Sequence, residues 1–297
     1  MSDMSALATP VPLVLAVFAA LYLGLALLVV RSPKQGTNNL LSGFHVLIAC
    51  FLLGAGLTYG ATDATMFGIG RTLSLFSAGF IPVMFYLVYR EYTVGPAHTV
   101  AVAMLSIVPI ATTVLALTNA QHGMIWSVVE TESGPVYSAL RDHTWYLRVH
   151  VPFAYSLFAY SAFAIVIHLP MIARAHRRII GMLLGCAVLP FAVNVANNFL
   201  GIGPSDFPVT ASSLALLFPL MGYVSLKLRG QEFSPLAYKT LFDHVRDPII
   251  VVDRNQSIIC VNRAAQELLG AAEKELIGRA LWDEFAVARE LLEQAKE

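Results

Sequence analysis

Residues Pro208–Asp253 read PVTASSLALLFPLMGYVSLKLRGQEFSPLAYKTLFDHVRDPIIVVD. They begin as an apolar run, Val209 to Leu226, leave it through Lys227 and Arg229, cross Gly230 to Pro235 and end in the β-branched string before Asp253. Before this junction the chain is almost entirely compatible with hydrocarbon, and after it the chain is charged like an ordinary water-soluble domain. A polypeptide written this way has a membrane half and a water half, joined here.

Working outward, the whole chain of 297 residues is 57% hydrophobic and 13% charged, with a mean hydropathy of +0.68. A typical soluble domain is about a quarter charged. The formal net charge is zero, so no nucleic-acid partner is expected. Cys50 and Cys186 fall in apolar runs and Cys260 in the soluble tail, a distribution that argues against an extracytoplasmic disulfide. Met1 to Pro10 contains no Lys or Arg, unlike the basic start of a cleaved signal peptide, and the run after it is long enough to span.

Seven runs approach or exceed the roughly 20 residues that cross a bilayer: Pro10–Val30, Leu40–Tyr59, Thr72–Tyr89, Ala97–Leu117, Val149–Met171, Ile179–Gly201 and Val209–Leu226. None contains Asp, Glu, Lys or Arg. Hydrocarbon offers the backbone no partner, so each run is expected to be a helix. With the amino terminus outside, the inner segments hold Arg31, Lys34, Arg90, Arg174, Arg177, Arg178, Lys227 and Arg229, and the outer ones only Arg71, Arg141 and Arg148. That positive-inside asymmetry, with an odd number of spans, puts the carboxyl end in the cytoplasm. The outer segment Thr118–Arg148 is the one long connection. It carries Trp126, Tyr137, Trp145 and Tyr146, suited to the membrane interface, and a Gly134-Pro135 turn signal. It fits a lid over a pocket and a plain connector equally.

In the tail, Tyr238, Leu241, Phe242 and Val245 recur at helical spacing. Ile249–Val252 and Ser257–Val261 read as two strands around the turn Asp253–Gln256. Asn262 reads as the cap of a helix Arg263–Leu269 that Gly270 closes. Ala272–Leu276 and Trp282–Glu293 read as helical.

A retinal Schiff base needs a lysine deep in the last helix, and Lys227 lies at its edge. Neither nucleotide-loop, nucleophile-elbow nor zinc-protease motifs occur, so no catalytic residue and no cofactor is assigned. His122, His143 and His150, or His45 and His168 for haem, lack the tight spacing of a metal site. The informative residues are polar ones near the outer side: Arg71 opening the third helix, His122 and Trp126 just past the fourth, Tyr155 in the fifth, and Asn194 and Asn198 sharing a face of the sixth. Together they outline an outward cup for a small ligand. The plainer alternative is interhelical hydrogen bonding by the asparagines and an Arg71 that snorkels to headgroups.

Thr118-Asn119-Ala120-Gln121-His122-Gly123-Met124-Ile125-Trp126 resembles the T-N-x-x-H-x-x-x-W signature after the fourth helix in the seven-helix N-terminal region of sensor histidine kinases. Arg177-Arg178, Pro190 with Asn194, Gly201-Ile-Gly-Pro204 and Pro235-Leu-Ala also resemble that family. Phe242–Asp253 and Asn262–Gly270 resemble the start of a PAS domain, and the chain stops at Glu297 before the further strands such a domain normally adds. The resemblance implies an all-α polytopic membrane protein of seven transmembrane helices followed by a partial α/β PAS domain. Residues 1–229 would be the membrane sensor, 230–244 a linker with a short amphipathic helix, and 245–297 the truncated PAS. It further implies a receptor in a bacterial inner membrane, a homodimer, responding to a small-molecule or lipid-like ligand. The signal would pass to a histidine kinase or diguanylate cyclase later in the same chain. The competing class is a transporter or channel with a regulatory soluble domain.

Overall fold

The computed structural model describes residues 10–31, 36–93, 97–131, 134–137, 145–171, 174–202, 207–229, 242–253 and 256–281. It divides into two compact units, Met1–Phe233 and Ser234–Glu297.

The first unit is helical. α1 (Pro10–Val30), α2 (Gly36–Tyr59), α3 (Ala64–Thr93), α4 (Thr99–Leu117), α5 (Val151–His168) and α6 (Arg174–Phe199) follow in order. The seventh apolar run is split into α7 (Val209–Leu216) and α8 (Phe218–Leu228). Among the described residues six helices are long and apolar enough to cross a membrane, and the bent pair α7–α8 makes a seventh span when read as one. Their lipid-facing character is visible on α4, where Val100, Met104, Ile107, Val114 and Leu117 are exposed, as expected when the surrounding solvent is hydrocarbon rather than water.

Three sequence boundaries shift. α3 begins at Ala64, where the Asp63 carboxylate accepts from the Met66 N–H at 2.8 Å and caps the new helix. Arg71 therefore lies two turns inside this helix instead of opening it. α5 is preceded by a π-turn, Tyr146–His150. Gly134 and Pro135 do not form a turn: they begin β2 (Gly134–Tyr137), antiparallel to β1 (Val128–Thr131), with Thr131 opposite Gly134. His143, the linker residues 230–241 and the helix expected at Trp282–Glu293 lie outside the described residues.

α2 and α3 approach until their backbones touch. A Cβ on Gly54 would stand 2.6 Å from the Ser74 nitrogen and 2.7 Å from the Gly70 carbonyl. One on Gly70 would stand 2.6 Å from the Thr58 nitrogen. Gly54-xxx-Thr58 and Gly70-xxx-Ser74 are thus paired small-xxx-small ridges, the arrangement that lets membrane helices gain dispersion contact where no hydrophobic force acts between them. Around this contact lies a core that includes Tyr22, Phe44, Ile48, Leu52, Phe85, Val88, Phe158, Leu183, Met221 and Leu228.

The second unit is small. β3 (Ile250–Val252) pairs antiparallel with β4 (Ile258–Val261), with a bulge between Val251 and Val252. α9 (Arg263–Leu269) and α10 (Glu273–Leu276) follow. Ile258, Val261, Ala265, Leu269 and Leu276 form its core. Asn262 is fully buried and ties this unit together. Its Oδ1 accepts from the Ala265 and Ile249 N–H groups at 2.9 and 2.8 Å, and its Nδ2 donates to the Asp247 and Val245 carbonyls at 2.8 and 3.1 Å. Gly270 closes α9 at φ 66°, where a Cβ would be strained.

Gly54→Leu and Gly70→Leu are expected to separate α2 from α3 and to cost at least the ~1–3 kcal/mol typical of overpacking. Gly185→Ala on α6, with nothing within 4 Å of the added carbon, is expected to be neutral or stabilising by up to about 1 kcal/mol. Thermal unfolding in detergent checks both.

Candidate functional site

The six residues singled out in the sequence fall into three places. Tyr155, Asn194 and Asn198 meet between α5 and α6. The Tyr155 hydroxyl donates to Asn194 Oδ1, and Asn198 Nδ2 donates to the same oxygen at 3.1 Å. The i,i+4 spacing puts both amides on one face of α6. The fourth member was missed in the sequence: Asn194 Nδ2 donates to Thr210 Oγ1 at 3.0 Å. Thr210 stands in the first turn of α7, so the cluster joins α5, α6 and the first half of the seventh span. Its aromatic wall is Phe191 and Phe199, edge-on to Tyr155 at 4.9 and 5.7 Å. Phe191 also stacks on Phe158 at 4.2 Å. Ser156, the neighbour of Tyr155, faces outward.

Arg71 and Trp126 occupy a separate corner. Trp126 is 7% exposed rather than lying open at an interface, and packs with Phe67, Leu75, Ala116 and Ile125. Phe67 meets it edge-to-face at 6.1 Å, and the Arg71 guanidinium lies 5.6 Å from the Phe67 ring centroid. Trp145 and Tyr146 pack against this cluster. His122 stands apart from both groups. It is exposed, its Nε2 hydrogen-bonded to Thr118 Oγ1 at 3.0 Å and its Nδ1 accepting from the Met124 N–H at 3.0 Å.

The shared motif Thr118–Trp126 is therefore a folded turn. Asn119 is its centre: Oδ1 accepts from the N–H groups of Ile125 and Trp126 at 2.9 and 3.3 Å, and Nδ2 donates to the Trp126 carbonyl at 2.8 Å. Gly123, at φ 61°, supplies the left-handed residue that reverses the chain. Asn119 directs Trp126 into the Phe67 cluster. The histidines considered for metal are engaged otherwise. His150 is buried against Thr112 Oγ1 at 3.2 Å, His45 bonds Ser225 Oγ at 2.8 Å, and His168 bonds the Tyr89 hydroxyl at 3.1 Å. Among the described residues no three His, Cys, Asp or Glu side chains gather as a metal site. A hollow of about 460 Å³ lined by Leu57, Asp63, Thr65, Met66 and Ile69 holds none of the six candidates.

The seventh span is broken in two. α7 and α8 meet at 52°, with Pro219 in the first turn of α8. The break frees the Leu214 carbonyl, and the Tyr22 hydroxyl donates to it at 3.0 Å from α1. Tyr22 and Phe18 pack edge-on to Phe218 at 5.0 and 6.1 Å. On the other side of the bend, Ser225 is held by His45. The amide cluster thus grips α7 at Thr210, while α1 and α2 grip both sides of the hinge.

Asn119→Ala strands the Ile125 and Trp126 N–H groups, at about 1–3 kcal/mol for each buried donor. Its expected signature is a red shift of tryptophan fluorescence as Trp126 leaves the Phe67 cluster. His122→Ala, at an exposed position, should leave the spectrum unchanged.

Two family models match. The N-terminal 7TM region of histidine kinase covers residues 13–235, and the PAS fold covers residues 236–297. No curated protein matches the chain.

Proposed function

We propose, because this chain belongs to the family of N-terminal seven-transmembrane regions of histidine kinases, that the cluster Tyr155–Asn194–Asn198–Thr210 is where its stimulus enters. The chain is a multi-pass membrane sensor module with a PAS region. The finer reading is a receptor in a bacterial cytoplasmic membrane, amino end outside. A small or lipid-like ligand acts at the outer ends of α5, α6 and α7. The response travels along the seventh span to the PAS region and on to a histidine kinase or diguanylate cyclase in the same chain, within a homodimer.

The observation that carries this reading is the hydrogen bond from Asn194 to Thr210. It ties an aromatic-walled polar cluster to the span that leads into the soluble unit. A ligand acts only through the difference in its affinity for two packings. Interhelical hydrogen bonds in membranes average about 0.6 kcal/mol. Releasing the two interhelical contacts, Tyr155–Asn194 and Asn194–Thr210, is worth about 1.2 kcal/mol, roughly an eightfold shift in a two-state equilibrium. That range is enough for a receptor. The orientation is supported by the charges: Arg31, Arg90, Arg177, Arg178 and Lys227 fall at helix ends that alternate along the chain onto one side.

A broken span is also seen in transporters, where freed carbonyls hold ions. Here the Leu214 carbonyl is taken by the buried Tyr22 hydroxyl, which favours a hinge over an ion site.

In the full-length protein, Asn194→Leu and Thr210→Val are each expected to change resting output at least about fivefold, or about 1 kcal/mol, at unchanged abundance in the membrane. Tyr22→Phe, which leaves the Leu214 carbonyl unpaired, is expected to change it too. Resting output equal to wild type in the first two removes the cluster from the path. Protease treatment of spheroplasts should cleave a tag at the amino end and spare one at the carboxyl end.

A further inference from the structure

Arg71 has a positive charge that no carboxylate among the described residues answers. Its Nε is buried and meets no acceptor. Among the described residues the neighbours of the guanidinium are the face of Phe67, 5.6 Å from the ring centroid, and Tyr146. A cation withdrawn from water without a counter-charge is strongly disfavoured, and a ring face replaces only a small part of its hydration. Freely snorkelling arginines keep the whole head in contact with water or phosphate. The walls of this corner, Phe67, Trp126 and Tyr146, are apolar and aromatic.

We infer that the Arg71 corner is an anion-binding site, which takes the oxyanion of an amphiphile, phosphate or carboxylate, with its apolar body against the Phe67–Trp126 wall. The guanidinium presents a planar fork to two oxygens of such a group. The site is separate from the amide cluster: Tyr146 and His150 address the α3 and α4 side of the α5 segment, whereas Tyr155 addresses α6. It therefore stands whether or not Asn194 and Thr210 carry the stimulus.

The same oxyanion is available from a lipid headgroup or from a free amphiphile, and two arms separate them. The chain is placed in dodecyl maltoside micelles, which carry no oxyanion, alone or with phosphatidylglycerol, and the same micelles are separately titrated with decanoate. A bound anion stabilises the folded state by mass action, so the thermal midpoint of wild type is expected to rise by about 5 °C at a hundredfold excess over Kd. Arg71→Lys keeps part of that rise. Arg71→Gln abolishes it, and without any anion its midpoint is equal to or above that of wild type, because the unanswered charge is gone. A rise with phosphatidylglycerol alone assigns the headgroup, a rise with decanoate assigns a free amphiphile, and either supports the site. No rise in both arms, or an equal rise in Arg71→Gln, overturns it.

Discussion

Hydrocarbon gives an unpaired carbonyl no partner, and the bent seventh span depends on how this rule is met at Leu214. Pro219 cannot donate to the Ala215 carbonyl four residues back, and its ring crowds that carbonyl; the Leu214 oxygen would take the Phe218 N–H in an unbroken helix. A continuous helix across Leu217 is thereby broken. In water the freed oxygen would be hydrated. In a membrane a protein group must take it, and Tyr22 of α1 does so. The shape of the last span is in this way written partly in the first, some 190 residues earlier, and the Phe18–Tyr22–Phe218 ring contacts keep the hydroxyl on its target.

The number and position of the spans were legible because charge is the costly quantity in a bilayer, and a run lacking Asp, Glu, Lys and Arg is simple to see. The start of α3 was not, since Ala64–Arg71 mixes Gly68, Gly70 and a cation and looks like a connection. Asp63 was the overlooked signal, a helix cap three residues before Met66. The connection between α4 and α5 proved more structured than its length implied: Asn119 organises it through three backbone hydrogen bonds, and the β1–β2 hairpin follows. The strands, the Asn262 cap and Gly270 in the second unit were legible, because a cap and a left-handed glycine are local chemistry.

Of the candidate residues, Tyr155, Asn194 and Asn198 come together, while Arg71, Trp126 and His122 lie elsewhere. Spacing along one helix is sequence-local, so Asn194 and Asn198 were grouped on one face. What they touch depends on helix rotation and on chain separated by many residues, so Thr210 was missed. Arg71 and Trp126 were placed with the amides because all lie toward the same end of the bundle. Yet α5 stands between the two groups, with Tyr146 and His150 turned to one side and Tyr155 to the other. His122 belongs to the fold of its own loop. The paired glycines of α2 and α3, Gly54 and Gly70, sit 16 positions apart in sequence, across the connection between the helices, and no single-helix pattern revealed that they oppose each other.

That backbone contact has a mechanical corollary. Where Gly54 and Gly70 bring main chain against main chain, there is no side-chain layer to slide or re-rotamerise, so α2 and α3 behave as a welded frame. α5 and α6 meet instead through ring stacking and side-chain hydrogen bonds, contacts whose rotatable bonds leave room to rearrange. Displacement inside the bundle is therefore allotted unequally, with a stationary half around the glycine seam and a compliant half around the aromatic one. α7 is strung between them.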